Sequence, residues 1–431
     1  WRLFRAIPEE AVGPIPLLLI HGASTDRWGD FLHWAAYSAE AAELREHYQI
    51  WNYRHEMEGI NAAVGYDPFC DAYEESITAY LVRFLKEATE EGVETDGVRY
   101  YWPGGPFSIV SNSHGGVKAR AFMMHYPAYG DQVLACVTLG CPHLGTPLAT
   151  VEWSRHTASR LGLGRLNVVN LALEYMVAIN YFSVNNHNDL DIGWGNRDEV
   201  MGYGLPYKHF ETWTREGGWE KRVVSPRDAN TTDARQRPGF EEDTTFEPAE
   251  LLPNCCGTLA DITPARRGEG YTDKLFLYGG YIDGFDDFSG TLIRSNDGVE
   301  EGSTNLFENI GLRVTEFLMA FYESPSARWP LGAYALNDGF IPVQSMFFVV
   351  DDERHPLYET RDFRGWELPM RPLRPDMAYI REHTLADPDR IRFYPGWSHL
   401  DIVTGRYNKT TGHSELFSQV AEDLLSVLSA S

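Results

Sequence analysis

Lysine is nearly missing from this chain. Six lysines stand against 31 arginines, and 62 acidic residues outnumber the 37 basic ones, for a net charge of −25 over 431 residues. A chain this acidic repels phosphate backbones, which excludes general nucleic-acid binding. High acidity with little lysine fits adaptation to salt or a GC-rich genome, and it concerns solubility more than mechanism. No stretch approaches the roughly 18 consecutive apolar residues a membrane helix needs. The longest apolar run near the start, Ile15 to Ile20, is strand-sized and holds a proline. Cysteine is also sparse: Cys70, Cys136, Cys141, Cys255 and Cys256 are an odd set, with no zinc or redox spacing. Cys136 lies in the apolar run from Gln132 to Leu139 and is expected as a buried thiol. One or two disulfides among the five remain open, so cysteine usage does not settle the compartment. The chain opens at Trp1 with neither Met nor a signal-like segment, and reads as a mature or trimmed form from which a leader was removed. Internal repeats are absent. The 43% apolar and 23% charged content excludes disorder and fibrous classes.

What is present is an alternation of strand and helix patterns over the first ~150 residues, the α/β signature. Pro16 to Ile20 reads as a strand buried on both faces, followed by a His21-Gly22 turn. Asp71 to Glu91 has helical spacing of Ile77, Tyr80, Leu81, Phe84 and Leu85. Phe107 to Val110 and Val133 to Leu139 read as further buried strands, with a helix from Gly115 to Met124 between them. The stretch from 151 to 330 is rich in Trp, Tyr, Asn, Gly and Asp and poor in periodicity, so it reads as an insertion rather than more sheet. Its clearest helix is Leu166 to Ile179, and Ser225 to Asp243 is a polar loop. A helix at Leu306 to Tyr322, an apolar stretch at Leu331 to Leu336 and a closing helix from Gly412 to Ser431 complete the chain. The division is therefore 1–150 and 331–431 as two parts of one core, with 151–330 as an inserted cap or lid.

The segment that carries chemistry is Phe107-Ser-Ile-Val-Ser-Asn-Ser-His-Gly-Gly116. An apolar strand runs into a small-x-Ser-x-Gly turn and then a helix, which is the pattern of a nucleophile elbow. Ser113 must sit on a tight turn, and the residues two before and two after it, Ser111 and Gly115, must be small because strand and helix approach closely. The helix start offers the His114 amide to an oxyanion. A serine nucleophile needs a base, and the base an orienting carboxylate. His399 in Pro395-Gly-Trp-Ser-His-Leu-Asp401 follows a strand-like segment from Arg390 to Tyr394. Asp338 in Asn337-Asp-Gly-Phe-Ile-Pro-Val343 follows an apolar stretch and is expected at a strand's end. Asp283 or Asp286 as acid and His383 or His413 as base are rivals without that context.

Five motifs in order, Leu17-Leu-Leu-Ile-His-Gly22, Ser111 to Gly116, Leu139-Gly-Cys-Pro-His-Leu-Gly-Thr-Pro147, Asn337 to Val343 and Ser398-His-Leu-Asp401, make the chain resemble the α/β-hydrolase lipases and esterases of the bacterial true-lipase type. The resemblance covers residues 15–150 and 331–430 and leaves the middle unmatched. It implies the α/β-hydrolase fold: a mostly parallel central sheet flanked by helices, with a large inserted cap or lid region. It implies acyl transfer to water through Ser113, His399 and Asp338, with the amides of Ala23 and His114 as the oxyanion hole and no cofactor. His143 would line the site without doing chemistry. Medium- to long-chain acyl esters are the expected substrates, polyesters a further class, met at a lipid–water interface. Acyltransferase or thioesterase activity on the same triad, and a catalytically silent binding protein, are the alternatives. Some similar lipases carry a structural calcium or zinc; the candidates here, Asp189, Asp191 and Asp401, form no proper calcium motif. The implied location is secreted, extracellular or periplasmic.

Overall fold

The computed structural model describes residues 2–5, 13–22, 29–54, 77–95, 97–145, 208–214, 218–224, 262–282, 334–350, 357 and 374–430. In chain order the described strands are β1 (Arg2–Arg5), β2 (Ile15–Ile20), β3 (Tyr48–Arg54), β4 (Val93–Thr95), β5 (Val98–Tyr100), β6 (Phe107–Asn112), β7 (Val133–Leu139), β8 (Lys208–Thr214), β9 (Gly218–Val224), β10 (Leu275–Tyr281) and β11 (Ile391–Pro395). The described helices are α1 (Gly29–Tyr37), α2 (Ala42–His47), α3 (Ile77–Glu90), α4 (His114–His125), α5 (Pro127–Gly130), α6 (Val343–Met346), α7 (Met377–His383), α8 (His399–Thr404) and α9 (Glu415–Ala430). Seven strands form one sheet in the order β1-β3-β2-β6-β7-β10-β11. Every pairing in it is parallel except β1 with β3.

Strand residues alternate between two cores. Leu18 and Ile20 of β2, Ile109 of β6, Cys136 of β7 and Leu277 of β10 join Leu81 and Leu85 of α3 and Phe122 of α4 on one face. Leu17, Leu19, Val110, Val137 and Tyr278 join Phe31 and Trp34 of α1, Leu44 of α2 and Leu416, Phe417, Val420 and Leu424 of α9 on the other. Both faces of a parallel sheet are thus covered by helices, which is why its strands are continuous apolar runs rather than alternating ones. This is the α/β-hydrolase fold.

Of the helices read from spacing, those in the described residues are present with shifted ends: α3 is described from Ile77, and α4 begins one residue earlier than expected, at His114. α9 starts after Ser414, whose Oγ accepts from the Phe417 amide at 3.2 Å as an N-cap. The division at 151–330 needs correction, because β10 lies inside that stretch and occupies the sheet between β7 and β11. Its sequence, LFLYGGY, hides the strand because two glycines dilute the pattern. Packing demands them: a Cβ on Gly279 would lie 2.9 Å from Phe347 Cζ, and one on Gly280 2.7 Å from the Tyr394 carbonyl oxygen. Of the apolar stretch before Asp338, the described residues 334–336 are not part of a strand; Asn337 after them is tied to β10's end by the Ile282 amide, which donates to the Asn337 carbonyl at 2.9 Å. Leu166 to Ile179, Ser225 to Asp243 and Leu306 to Tyr322 lie outside the described residues. Among the described residues no helix is long and apolar enough to cross a membrane.

Candidate active site

The site is assembled at the carboxyl ends of the parallel strands. β6 delivers Ser113 into a turn with φ 50 and ψ −131, a left-handed backbone that side chains other than glycine rarely adopt. Its amide is held by the Leu139 carbonyl at 2.8 Å, so the neighbouring strand fixes the turn. Ser113 occupies the N-cap position of α4, yet its hydroxyl makes no cap hydrogen bond. It faces His399 instead. Gly115 permits the close approach: a Cβ there would lie 2.3 Å from the Ile20 carbonyl oxygen. Ser111, where a glycine is usual, is buried and donates from Oγ to the Val137 carbonyl at 3.1 Å, so its hydroxyl is satisfied across the sheet.

His399 opens α8, directly after β11 and its Gly396 turn. Its Nδ1 lies 2.7 Å from Asp338 Oδ2 and its Nε2 3.1 Å from Ser113 Oγ. A carboxylate only accepts, so Nδ1 carries the proton and Nε2 is left to accept from the serine hydroxyl. Asp338 is fully buried. Its Oδ1 accepts from the amides of Phe340 at 2.9 Å and Ile341 at 2.7 Å, and its carbonyl accepts from the His399 amide at 2.8 Å. The imidazole is closely packed. The Phe340 ring centre lies 5.2 Å from it on one side, and Gly140, with φ +55, passes so close that an added Cβ would stand 3.2 Å from both Cε1 and Nδ1.

His114 is the first residue of α4, where helix amides have no intrahelical acceptor. Burial, with Lys118 and His21 nearby, holds its imidazole well below the usual histidine range, so the ring is neutral. Ala23 lies outside the described residues. The turn leading to it is tied to the elbow: the Gly22 amide donates to Asn112 Oδ1 at 3.0 Å, and a Cβ on Gly22 would meet Ser113 Cβ at 2.8 Å. Asn112 and Gly140 were not singled out from sequence. Asn112 stands directly before Ser113, which is a usable signal; Gly140 reaches His399 only through the fold.

The rival residues are elsewhere. His413 pairs with Glu40 at 2.6 Å, and His383 donates from Nδ1 to the Tyr379 carbonyl at 3.0 Å. Asp283 and Asp286 lie outside the described residues. His143 is fully buried, with Nε2 3.0 Å from Thr138 Oγ1 and its ring stacked on Phe348. Beside it, the fully buried Arg120 of α4 donates to the His143 carbonyl at 2.5 Å, Tyr271 Oη at 2.7 Å and Thr263 Oγ1 at 2.9 Å. Its guanidinium lies 4.2 Å from the centre of the Phe348 ring. Burial and Arg120 both push His143 well below the usual range, so it stays neutral. Cys136 and Cys141 are buried free thiols, and burial pushes Cys136 up to about 12; Cys70, Cys255 and Cys256 lie outside the described residues.

Among the described residues no group of three His, Cys, Asp or Glu could hold a metal ion. Asp189 and Asp191 lie outside them. Asp401 Oδ2 accepts from the Ser398 amide at 2.9 Å, Ser398 Oγ at 3.0 Å and Arg406 Nη2 at 3.0 Å. With one carboxylate already engaged by a cation of the chain, the described donors around Asp401 do not fit a calcium site.

No family model and no curated protein matches the sequence. Solved structures do. Lipase 1 from Pelosinus fermentans aligns over 96% of this chain and 99% of its own at 11% identity, with a TM-score of 0.39. Staphylococcus hyicus lipase aligns over 98% of both chains at 14% identity and a TM-score of 0.34. EstA from Clostridium botulinum aligns over 97% of this chain and 89% of its own at 12% identity and a TM-score of 0.39. At such values the likeness is distant.

Proposed function

We propose that this chain is a serine carboxylic-ester hydrolase. The observation that carries the reading is one imidazole, His399, bridging a carboxylate at 2.7 Å and a hydroxyl at 3.1 Å, with the hydroxyl on a strained strand-to-helix turn. Ser113 Oγ attacks the ester carbonyl carbon as His399 Nε2 takes its proton. Asp338 holds the tautomer and stabilises the imidazolium. The tetrahedral oxyanion is met by the amides of His114 and Ala23, each such donor being worth about 2.7–4 kcal/mol in comparable sites. Collapse of the intermediate expels the alcohol, which leaves with the proton from Nε2. Water, deprotonated by the same nitrogen, then releases the acid and regenerates Ser113. No step needs a cofactor.

The substrate is an ester of a medium- or long-chain acid, with polyesters as a further class, and the work is done outside the cytoplasm at a lipid–water interface. The rank of apolar and aromatic residues in the sequence between β7 and β10 supports an acyl-binding cap. Hydrolysis of p-nitrophenyl esters from butyrate to palmitate, with Ser113→Ala beside the wild type, tests the reading. Turnover should fall by at least about 10³-fold in the variant, and the preferred chain length divides esterase from lipase. Persistent turnover in Ser113→Ala would sink the nucleophile assignment. Thioester turnover exceeding ester turnover would move the chain to the thioesterases.

A further inference from the structure

The turn that carries His399 is gripped by a side chain with no part in the acyl-transfer scheme. Arg406 Nη2 donates to the Gly396 carbonyl at 2.9 Å and to Asp401 Oδ2 at 3.0 Å. The same guanidinium lies 4.3 Å from the centre of the Trp397 ring. Asp401 closes a capping box with Ser398, accepting from its amide and its hydroxyl while the Asp401 amide donates back to Ser398 Oγ at 3.3 Å. Residues 396, 397, 398 and 401 are therefore all tied to one guanidinium or to the carboxylate it pairs with. His399 is inside this ring of contacts, and its own amide is anchored to the Asp338 carbonyl at 2.8 Å. Arg406 reaches the turn from φ 45, a left-handed conformation that a long side chain rarely adopts, directly after Gly405 at φ 63. A residue stays in that region only when its surroundings over-determine it.

We propose that Arg406 and Asp401 are positioning residues for His399, a half-buried ion pair that holds the imidazole in register between Ser113 and Asp338. The inference rests on the ester-hydrolase reading. Arginine suits the task because its planar fork donates in two directions while stacking on Trp397, which a lysine ammonium cannot do. Displacing a catalytic group by about an ångström can cost on the order of 100-fold in rate, so the turn from β11 to α8, residues 396–398, has to be held from outside.

The test compares Arg406→Ala, Arg406→Lys, Asp401→Asn and the double variant Arg406→Ala/Asp401→Asn with wild type and Ser113→Ala. Rates are expressed per active site titrated with a fluorophosphonate probe. The expected result is kcat about 10- to 100-fold lower in Arg406→Ala and Asp401→Asn with KM little changed. The double variant should be no worse than the poorer single one, because the two residues act as a unit, and Arg406→Lys should regain part of the loss. Asp401→Asn keeps the side chain's shape, so it reports even where Arg406→Ala folds poorly. Per-site kcat within twofold of wild type in both single variants, or additive losses in the double variant, would overturn the inference. Loss of activity explained wholly by fewer titratable sites would overturn it too. If Ser113→Ala stays active, the ester-hydrolase reading falls and takes this inference with it. If Ser113→Ala is dead while Asp401→Asn and Arg406→Ala are normal, the positioning inference alone falls.

Discussion

At Ser113 the backbone holds φ 50, where a side chain costs of order 1–3 kcal/mol in strain. The neighbouring contacts explain why it persists. The Leu139 carbonyl holds its amide, Gly115 lets β2 pass beneath, and Gly22 packs on its Cβ. The hydroxyl forgoes capping α4, a role worth about 1 kcal/mol, and points at His399 instead. The imidazole is positioned as strictly. Gly140→Ala is expected to lower kcat/KM by about 10- to 100-fold while far-UV circular dichroism stays native, because the new methyl would stand 3.2 Å from the ring and φ +55 would be strained. Steady-state kinetics on a soluble p-nitrophenyl ester check this. Unchanged kinetics would mean that the ring has slack that the packing denies.

At the scale of elements, α4 does two jobs. Its first turn follows the Ser113 turn, and its buried Arg120 fastens the loop after β7 to the segment before β10. The guanidinium reaches the 141–145 loop through the His143 carbonyl and the 262–272 segment through Thr263, Tyr271 and the Ile262 carbonyl at 3.3 Å. Tyr271 Oη also donates to the Ile262 carbonyl. Among the described residues no carboxylate pairs with Arg120, so its charge is met by dipoles, two aromatic faces included. Removing it would leave several buried acceptors without a donor, each costing about 1–3 kcal/mol. Arg120→Met should therefore destabilise by about 3 kcal/mol or more, read as a shifted denaturation midpoint in urea. A shift no larger than that of an exposed-surface substitution would show that the network is dispensable.

Across the whole molecule, the 29–54 segment and the last described segment are joined by a clasp on the surface. Glu40 accepts from His413 at 2.6 Å, Ser418 Oγ at 2.8 Å, the Ser414 amide at 3.2 Å and Trp34 Nε1 at 3.4 Å. Burial alone would raise the carboxyl; these donors outweigh it and hold the group at about 2, against an ordinary 4.5. A depressed carboxyl stabilises the fold fully above its unfolded value and loses that contribution as pH falls. The clasp is thus intact above about pH 4.5 and released toward pH 2. Thermal denaturation at stepped pH should show wild type losing Tm through that window, with Glu40→Gln less stable at neutral pH and flatter below pH 4.5. Parallel curves for the two proteins would rule the clasp out as an acid-sensitive element.

How much of this was legible before folding differs from residue to residue. The strands at 15–20, 107–112 and 133–139 were legible because burial on both faces leaves continuous apolar runs. The serine turn was legible because close approach of strand and helix admits only small residues at fixed offsets. β10 was obscured, since the glycines that its neighbours require erase the strand pattern. The described residues just before Asp338, 334–336, are irregular rather than the end of a strand, which apolar content alone cannot distinguish. Local sequence therefore determined the elements and the residue types able to do the chemistry, because steric and hydrophobic constraints act between near neighbours. Only the tertiary structure decided which of them meet. Ser113 and His399 are 286 positions apart and His399 and Asp338 are 61. Gly140 meets His399 and Arg120 meets Thr263 and Ile262 through contacts that the order of strands in the sheet creates, whereas Arg406 grips residues five to ten positions before it. No spacing in a linear sequence encodes a distance across a sheet.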